Sequence, residues 1–600
     1  MGMLSLIFDA HGIGEPFNHG LAILIFKLVV LSAPFLITYL LTYTRFVFQT
    51  RRLKNGGSHP SPVPPYLVPG LGHTYSILFN AEKLLRPLQM KVQNHVLSLS
   101  LPTGALLYVL PGEGVRSLFR APKELVAVPG IFDALTVFFG LKPADYRIFD
   151  HEHISAFEAK NGRVHSTFHP DESRRVMDLQ RKDVITFLRG ENLKLVTDEF
   201  STNLEQLFWS YHPHRSTTES TTIPDLYAFV RDSFFRAKIE ALYGKHIFTV
   251  CPSLCEDFWA FYKAFPIISR GSPRWLYPAQ YRSRDQMLHN LDKWRRWCNS
   301  QSHQDDEEPE NAESDPVWGT RYVKDMVRRY EGLEFSDAGV SSLLLGFFFV
   351  TTANSTPAAA WMILHILLDQ SLVSRLRREL LIESEVSNAP IDYTALLSAP
   401  LLNSVYNETL RLHISGQIGR KAFGDGVRLH GDSLSALQSG ATGMSAGWLG
   451  GLNKSVWNTG QEINGRAEYP LESFWAERFL EYPDDPTSGP LRKPSSIYKG
   501  IAGPGRAEPV RDDSKARLSN PAALRGHFFP FGGGAWKCPG ENLAKNTVFV
   551  TAFLLLKELD IEILDPVDAA KASSQHRAMP FGTHGFDRTV PIRCWKRSQV

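Results

Sequence analysis

The sequence predicts a mainly α-helical chain with small β-sheets, preceded by one N-terminal transmembrane helix. Three observations carry this expectation. An apolar run from Leu21 to Tyr43 stands ahead of a more polar chain. Helical patterning dominates residues 180 to 415, and a glycine-rich loop near the C terminus opens into a further helical stretch from Glu541. Boundaries follow from composition: residues 1–20 form a tail, 21–43 the membrane anchor, 44–75 a basic and Pro-rich hinge, and 76–600 one large domain.

The run Leu21 to Tyr43 is long enough for one bilayer crossing, which takes about 20 apolar residues, and exceeds the apolar core of a signal peptide. Lys27 lies near one end, where its stem can reach the interface. Residues 1–20 carry no Lys or Arg, whereas Arg45, Arg51, Arg52 and Lys54 follow the run. That asymmetry predicts a cytoplasmic location for the bulk of the chain. Between Gly56 and Gly72 the prolines are dense enough to exclude helix and central strand.

Leu106 to Leu110 reads as a short strand paired with the apolar run before it. The acidic stretch around Asp305 to Glu310 cannot bury apolar surface and reads as a surface loop, and Tyr482 to Gly526 reads as irregular. With 43% hydrophobic residues in 600, the chain can build a very large core, and a net charge of +3 gives no sign of nucleic-acid binding. Five scattered cysteines exclude a disulfide framework, and Cys251 and Cys255 read as buried free thiols. The tripeptides at Asn354 and Asn407 match the glycosylation acceptor pattern but fall within predicted buried helices.

The chemistry is concentrated in Phe531-Gly-Gly-Gly534-Ala-Trp536-Lys537-Cys538-Pro539-Gly540. Gly534 and Gly540 let the backbone approach a flat partner closely, and Pro539 suits the entry to a helix. The dipole of that helix favours a thiolate, the state in which sulfur binds a metal. Upstream stand Glu408 and Arg411, three residues apart on one helix face, and then Phe474-Trp-Ala-Glu-Arg478-Phe. A long apolar helix over 341–361 carries Asn354, Ser355 and Thr356 ahead of Pro357, and polar groups so placed cost free energy unless they serve a purpose.

Taken in this order, these segments resemble the cytochrome P-450 family of haem-thiolate monooxygenases over roughly residues 60 to 595. The resemblance implies that Cys538 is the ligand of iron in haem b, and that a thiolate there favours O–O cleavage. It implies a buried structural network of Glu408, Arg411 and Arg478. It places Arg420 at the start of a strand, near a haem propionate, together with Phe531, Gly534, Gly540 and either Trp536 or Lys537. A Trp-x-x-x-Arg pair, common in the family, is not evident. Proton delivery would fall to Asn354 with Ser355 or Thr356, in an order resembling the sterol 7α- and 12α-hydroxylase and prostacyclin synthase branch. Phe348, Phe349, Ala353, Gln417, Ile418, Phe581 and Thr583 are expected to line an apolar pocket for a lipophilic substrate.

Electrons would come from NADPH through a membrane-bound reductase facing Lys537 and Lys545, in the endoplasmic-reticulum membrane. The run from Tyr469 to Leu480 resembles fungal members, many of which act in secondary metabolism on terpenoids, polyketides or alkaloids. Two competing readings are a haem-thiolate isomerase or dehydratase of a lipid peroxide, and a non-catalytic haem sensor or carrier.

Overall fold

The computed structural model describes residues 15–54, 61–92, 95–102, 106–120, 125–126, 134–149, 176–210, 220–301, 314–381, 391–414, 416–422, 427–428, 436–437, 441–463, 466–501, 511–573 and 582–597. The helices that matter for the site are α1 (Glu15–Lys54), α2 (Thr74–Val92), α3 (Gly112–Arg120), α4 (Val176–Phe187), α5 (Gly190–Ser210), α6 (Leu226–Tyr243), α7 (Leu254–Ile268), α8 (Pro278–Gln301), α9 (Asp337–Thr352), α10 (Ser355–Leu367), α11 (Pro400–His413) and α12 (Glu541–Glu558). Strands β1 (Leu97–Ser100), β2 (Leu106–Val109), β3 (Leu125–Val126), β4 (Thr221–Ile223), β5 (Gln417–Ala422), β6 (Thr442–Ala446), β7 (Leu559–Ile563) and β8 (Ile592–Lys596) build two small sheets, in the orders β1-β2-β6-β5-β3 and β7-β8-β4. Antiparallel pairing of Leu97 with Val109 sets the first register.

Helix α1 runs well past the predicted end of the anchor and takes in the basic residues that the sequence assigned to a hinge. No helix breaker lies between Tyr43 and Lys54, so the apolar helix propagates through them. The stretch Ile23–Leu53 contains an 18-residue window of mean hydropathy 2.2 with no buried residue, which makes it a candidate membrane span. Phe46 near its end is buried in a cluster with Ile77, Leu85 and Leu97, which ties α1 to the domain.

The main core lies among α5 to α12. Helices α5 and α6 pack together, α6 also packs on α10, and α12 packs on both α5 and α10. Helix α10 is buried over almost its whole length, because Ser355 to Leu367 is apolar on every side. That central position lets it meet α6 and α12 at once.

Candidate functional site

The cysteine loop is closed by its own backbone: Cys538 N donates to Phe531 O at 2.9 Å, and Gly532 N donates to Phe529 O at 2.9 Å. Gly532 and Gly534 sit at φ +69° and +67°, a region open to glycine at little cost. A Cβ on Gly534 would also lie 2.6 Å from the Phe119 carbonyl of α3, so the chain passes close to protein there. Gly540 differs from the sequence expectation. Its φ is −82° and an added Cβ would meet Cys538 Sγ at an ordinary 3.7 Å. Phe531 is half-buried against the main core.

Cys538 is exposed, whereas Cys251, Cys255, Cys298 and Cys594 are buried. Its sulfur is reachable by solvent, yet enough protein surrounds it that burial pushes the thiol up. The Gly540 amide, Arg181 and Lys238 oppose the rise and Glu541 adds to it. The loop alone therefore does not favour the thiolate that the helix dipole suggested; a bound metal removes that proton.

One guanidinium, Arg181, stands at this loop, and a second, Arg420, lies close enough to feel its charge. Arg181 of α4 donates to the carbonyls of Ala535 and Lys537 and lies 5.3 Å from the centre of the Trp536 ring. Arg420 lies within β5 rather than at its start, donates to Gly419 O at 2.8 Å, and is lowered by burial and by Arg181. Among the described residues neither is paired with a carboxylate. Sequence reasoning missed Arg181 because Met177 occupies the place four residues earlier where a tryptophan was sought. Lys537 is ion-paired with Glu541 and remains exposed. Lys545, also expected to face the reductase, is half-buried; its ammonium donates to Leu397 O at 3.0 Å and lies over the Phe549 ring.

The expected long helix over 341–361 is two helices. Helix α9 ends at Thr352 and α10 begins at Ser355, and Pro357, with no N–H, leaves the Ala353 carbonyl without its helical donor. At the break Asn354 is exposed and its Oδ1 accepts the Thr583 N–H at 3.1 Å, so its side chain ties the C-terminal loop to the helix. Thr356 is fully buried and donates to Thr352 O at 2.9 Å. Ser355 is buried and its Oγ accepts from Lys238 Nζ of α6 at 2.9 Å, which makes it the member of the trio joined to a charged side chain. Lys238 was not singled out in the sequence, where it is one cation within an amphipathic pattern.

The predicted lining residues separate. Phe348 is fully buried among Phe235, Tyr243 and Phe258, with ring centres 5.9, 5.1 and 5.5 Å away. Phe349 stacks on Phe265 of α7 at 4.4 Å and lies 5.5 Å from Phe139. Ala353 and Ile418 are buried and Gln417 is half-buried; Ile418 reaches the cysteine loop at Gly532. Thr583 bridges to Ile414, accepts from Tyr262 at its carbonyl, and buries an Oγ1 without a partner among the described residues. Phe581 lies outside the described residues.

Glu408, Arg411 and Arg478 form one fully buried cluster. Arg411 grips the carboxylate twice at 2.7 Å, and Arg478 Nε donates to it at 2.9 Å. The remaining guanidinium hydrogens go to the carbonyls of Gly451, Leu471, Asn458 and Pro470. Every charge is thus paired and hydrogen-bonded, the condition under which buried ions persist. The cluster pins α11 to the chain around Trp475 ahead of the cysteine loop.

A free cysteine at the mouth of a helix, a broken apolar helix across α6 and α12, and a buried Glu-Arg-Arg cluster are the architecture of a haem-thiolate oxygenase. Comparison with known proteins gives the same class. The family model for cytochrome P450 matches residues 256–438. A cytochrome P450 monooxygenase of Humicola fuscoatra, fsoE, is 30% identical over 74% of this chain and 75% of its own length. Another, efuG of Hormonema carpetanum, is 26% identical over 89% of this chain and 91% of its own. The chain belongs to the cytochrome P450 family, as a monooxygenase. Support for the 7α-hydroxylase branch is distant: cytochrome P450 7A1 of Oryctolagus cuniculus shares 20% identity over 64% of this chain and 70% of its own.

Family membership implies thiolate-ligated haem iron and electrons from NADPH through a reductase. The residues present fit that group. A solvent-reachable thiol lies near Arg181, which in turn feels the charge of Arg420, and neither guanidinium has a carboxylate partner among the described residues, an arrangement suited to a cofactor with acidic side chains.

Proposed function

We propose that Cys538 supplies the axial thiolate of a haem monooxygenase that oxidises a lipophilic substrate, in fungal secondary metabolism on terpenoids, polyketides or alkaloids. The observation that carries this reading is the exposure of Cys538 alone among five cysteines, on a loop whose glycines are required by φ and by Phe119. Arg181 and Arg420 would hold the propionates, with Trp536 supporting Arg181 from below. Glu408, Arg411 and Arg478 keep the cysteine side of the core rigid and take no part in chemistry. When bound, haem supplies activation of dioxygen for insertion of one oxygen atom, the other leaving as water.

The chain's own part is to position and exclude. Phe349 with Phe139 and Phe265 offers an apolar wall, and the unpartnered Thr583 Oγ1 offers one polar contact to a substrate. Within α1 the segment 21–43 is the anchor, with 1–20 lumenal and 76–600 the catalytic domain on the cytoplasmic face of the endoplasmic reticulum, a reading supported by the basic residues that follow the run. The reductase meets the face bearing exposed Lys537.

The test is turnover of a terpenoid and sterol panel by the full chain with NADPH, microsomal reductase and ¹⁸O₂. The reading predicts product carrying one ¹⁸O and dependence on reductase. Conversion that needs neither NADPH nor reductase and incorporates no ¹⁸O would replace it with the isomerase reading.

A further inference from the structure

Lys238 takes no part in the haem-monooxygenase reading. It lies within α6, is 1% exposed, and its Nζ donates to Ser355 Oγ at 2.9 Å. No carboxylate is paired with it among the described residues; its other close neighbour is the Phe234 ring, 5.3 Å away. Burial pushes the amine down to about 7, and the group that favours its charged form is Cys538. A buried ammonium without an acid partner is costly, and purely structural needs at such a depth are met by apolar side chains.

The hydrogen-bond geometry gives this cation a consequence. A serine hydroxyl has one hydrogen and two lone pairs. With Nζ donating, it occupies a lone pair of Ser355 Oγ and leaves the hydroxyl hydrogen to be donated elsewhere. The acceptor within the helix is Thr351 O at 3.4 Å, at the long limit of a hydrogen bond. Thr356, by contrast, places its hydrogen on Thr352 O at 2.9 Å. Ser355 is thus held with its hydrogen available at the break between α9 and α10, and the group that holds it comes from another helix.

We propose that Lys238 is a positioning residue for the oxygenation, which keeps Ser355 Oγ as a hydrogen-bond donor toward a ligand bound between α10 and the Cys538 loop. The proposal rests on the haem-monooxygenase reading. Within the trio it favours Ser355 over Thr356, whose hydroxyl hydrogen is committed to Thr352 O.

The test uses the haem-loaded full chain as wild type, Lys238→Met, Ser355→Ala and the double variant. The C–O stretching frequency of the reduced carbon-monoxide complex is read first, since it responds to a donor facing the bound gas and needs no turnover. Product formed per NADPH, with hydrogen peroxide released, is read second. Lys238→Met is expected to shift the stretch in the same sense as Ser355→Ala, and to lower coupling at least about tenfold, less than the roughly 100-fold that a positioned proton donor itself contributes at the low end. The double variant is expected to be no worse than Ser355→Ala.

An unchanged stretch and coupling in Lys238→Met, or losses that multiply in the double variant, would overturn the proposal while leaving the monooxygenase reading intact. Failure of that reading shows separately, as a Soret band away from the thiolate position in wild type. Should Lys238→Met not hold haem, Lys238→Gln supplies an N–H donor at the same depth. It is then expected to bring coupling back to within about twofold of wild type; haem binding without that recovery would mark the lysine as structural.

Discussion

Gly534 and Gly540 flank the same cysteine and do different jobs. At φ +67°, and with the Phe119 carbonyl 2.6 Å from where a Cβ would stand, Gly534 has two independent reasons to be glycine. Gly534→Ala is expected to lower stability by about 2 kcal/mol or more, about half from the left-handed backbone and the rest from displacement of α3. Gly540→Ala, at φ −82° with ordinary contacts, is expected to change stability by less than about 0.5 kcal/mol. Thermal melting of the two variants side by side checks this; equal losses would contradict it. The Glu408 carboxylate gives a pH signature. Burial raises it, but Arg411 and Arg478 more than reverse that, leaving it below its ordinary 4.5. A depressed folded value means that the unfolded chain binds the proton more readily, so the stabilisation is full above pH 4.5 and is lost as pH falls through the folded value. The melting gap between wild type and Glu408→Gln, roughly 3 to 5 kcal/mol for a broken buried pair, should be constant above that pH and narrow below it. A gap that widens on acidification would contradict the network.

Elements were legible from sequence where one physical signal dominated. The apolar run, the strand ahead of α3 and the helix after Pro539 each have a single strong cause, and each is present in the fold. The break between α9 and α10 was only half legible: Pro357 announced a local opening, but the tie from Asn354 to the Thr583 amide depends on a loop more than 200 residues away in sequence. Arg181 and Lys238 were illegible for the same reason, since a cation on an ordinary helix acquires its role from what the fold sets against it. The extension of α1 beyond residue 43 has a testable corollary. Among the described side chains of residues 21–45 none is buried and Thr42 alone exchanges hydrogen bonds with Tyr66, whereas Phe46 is buried on the domain. Deleting 1–41 is expected to shift the protein from the membrane pellet toward the soluble fraction with an unchanged melting temperature, and deletion through residue 50 is expected to lower it. Equal melting of the two truncations would show that Phe46 does not tie helix and domain.

At the scale of the whole molecule, the fold brings one thiol to a place that Arg181 and Lys238 also reach, the lysine joining it to the broken helix, while the other four cysteines are kept in the core. Family membership gives the class of chemistry, and this convergence gives the residues. The central claim is that Cys538 is the sulfur bound to iron, and the most direct measurement is the reduced carbon-monoxide difference spectrum of wild type and Cys538→Ser. Wild type should show the Soret band of a thiolate-ligated haem and the variant should lose it. A band that persists unchanged in Cys538→Ser would contradict the account.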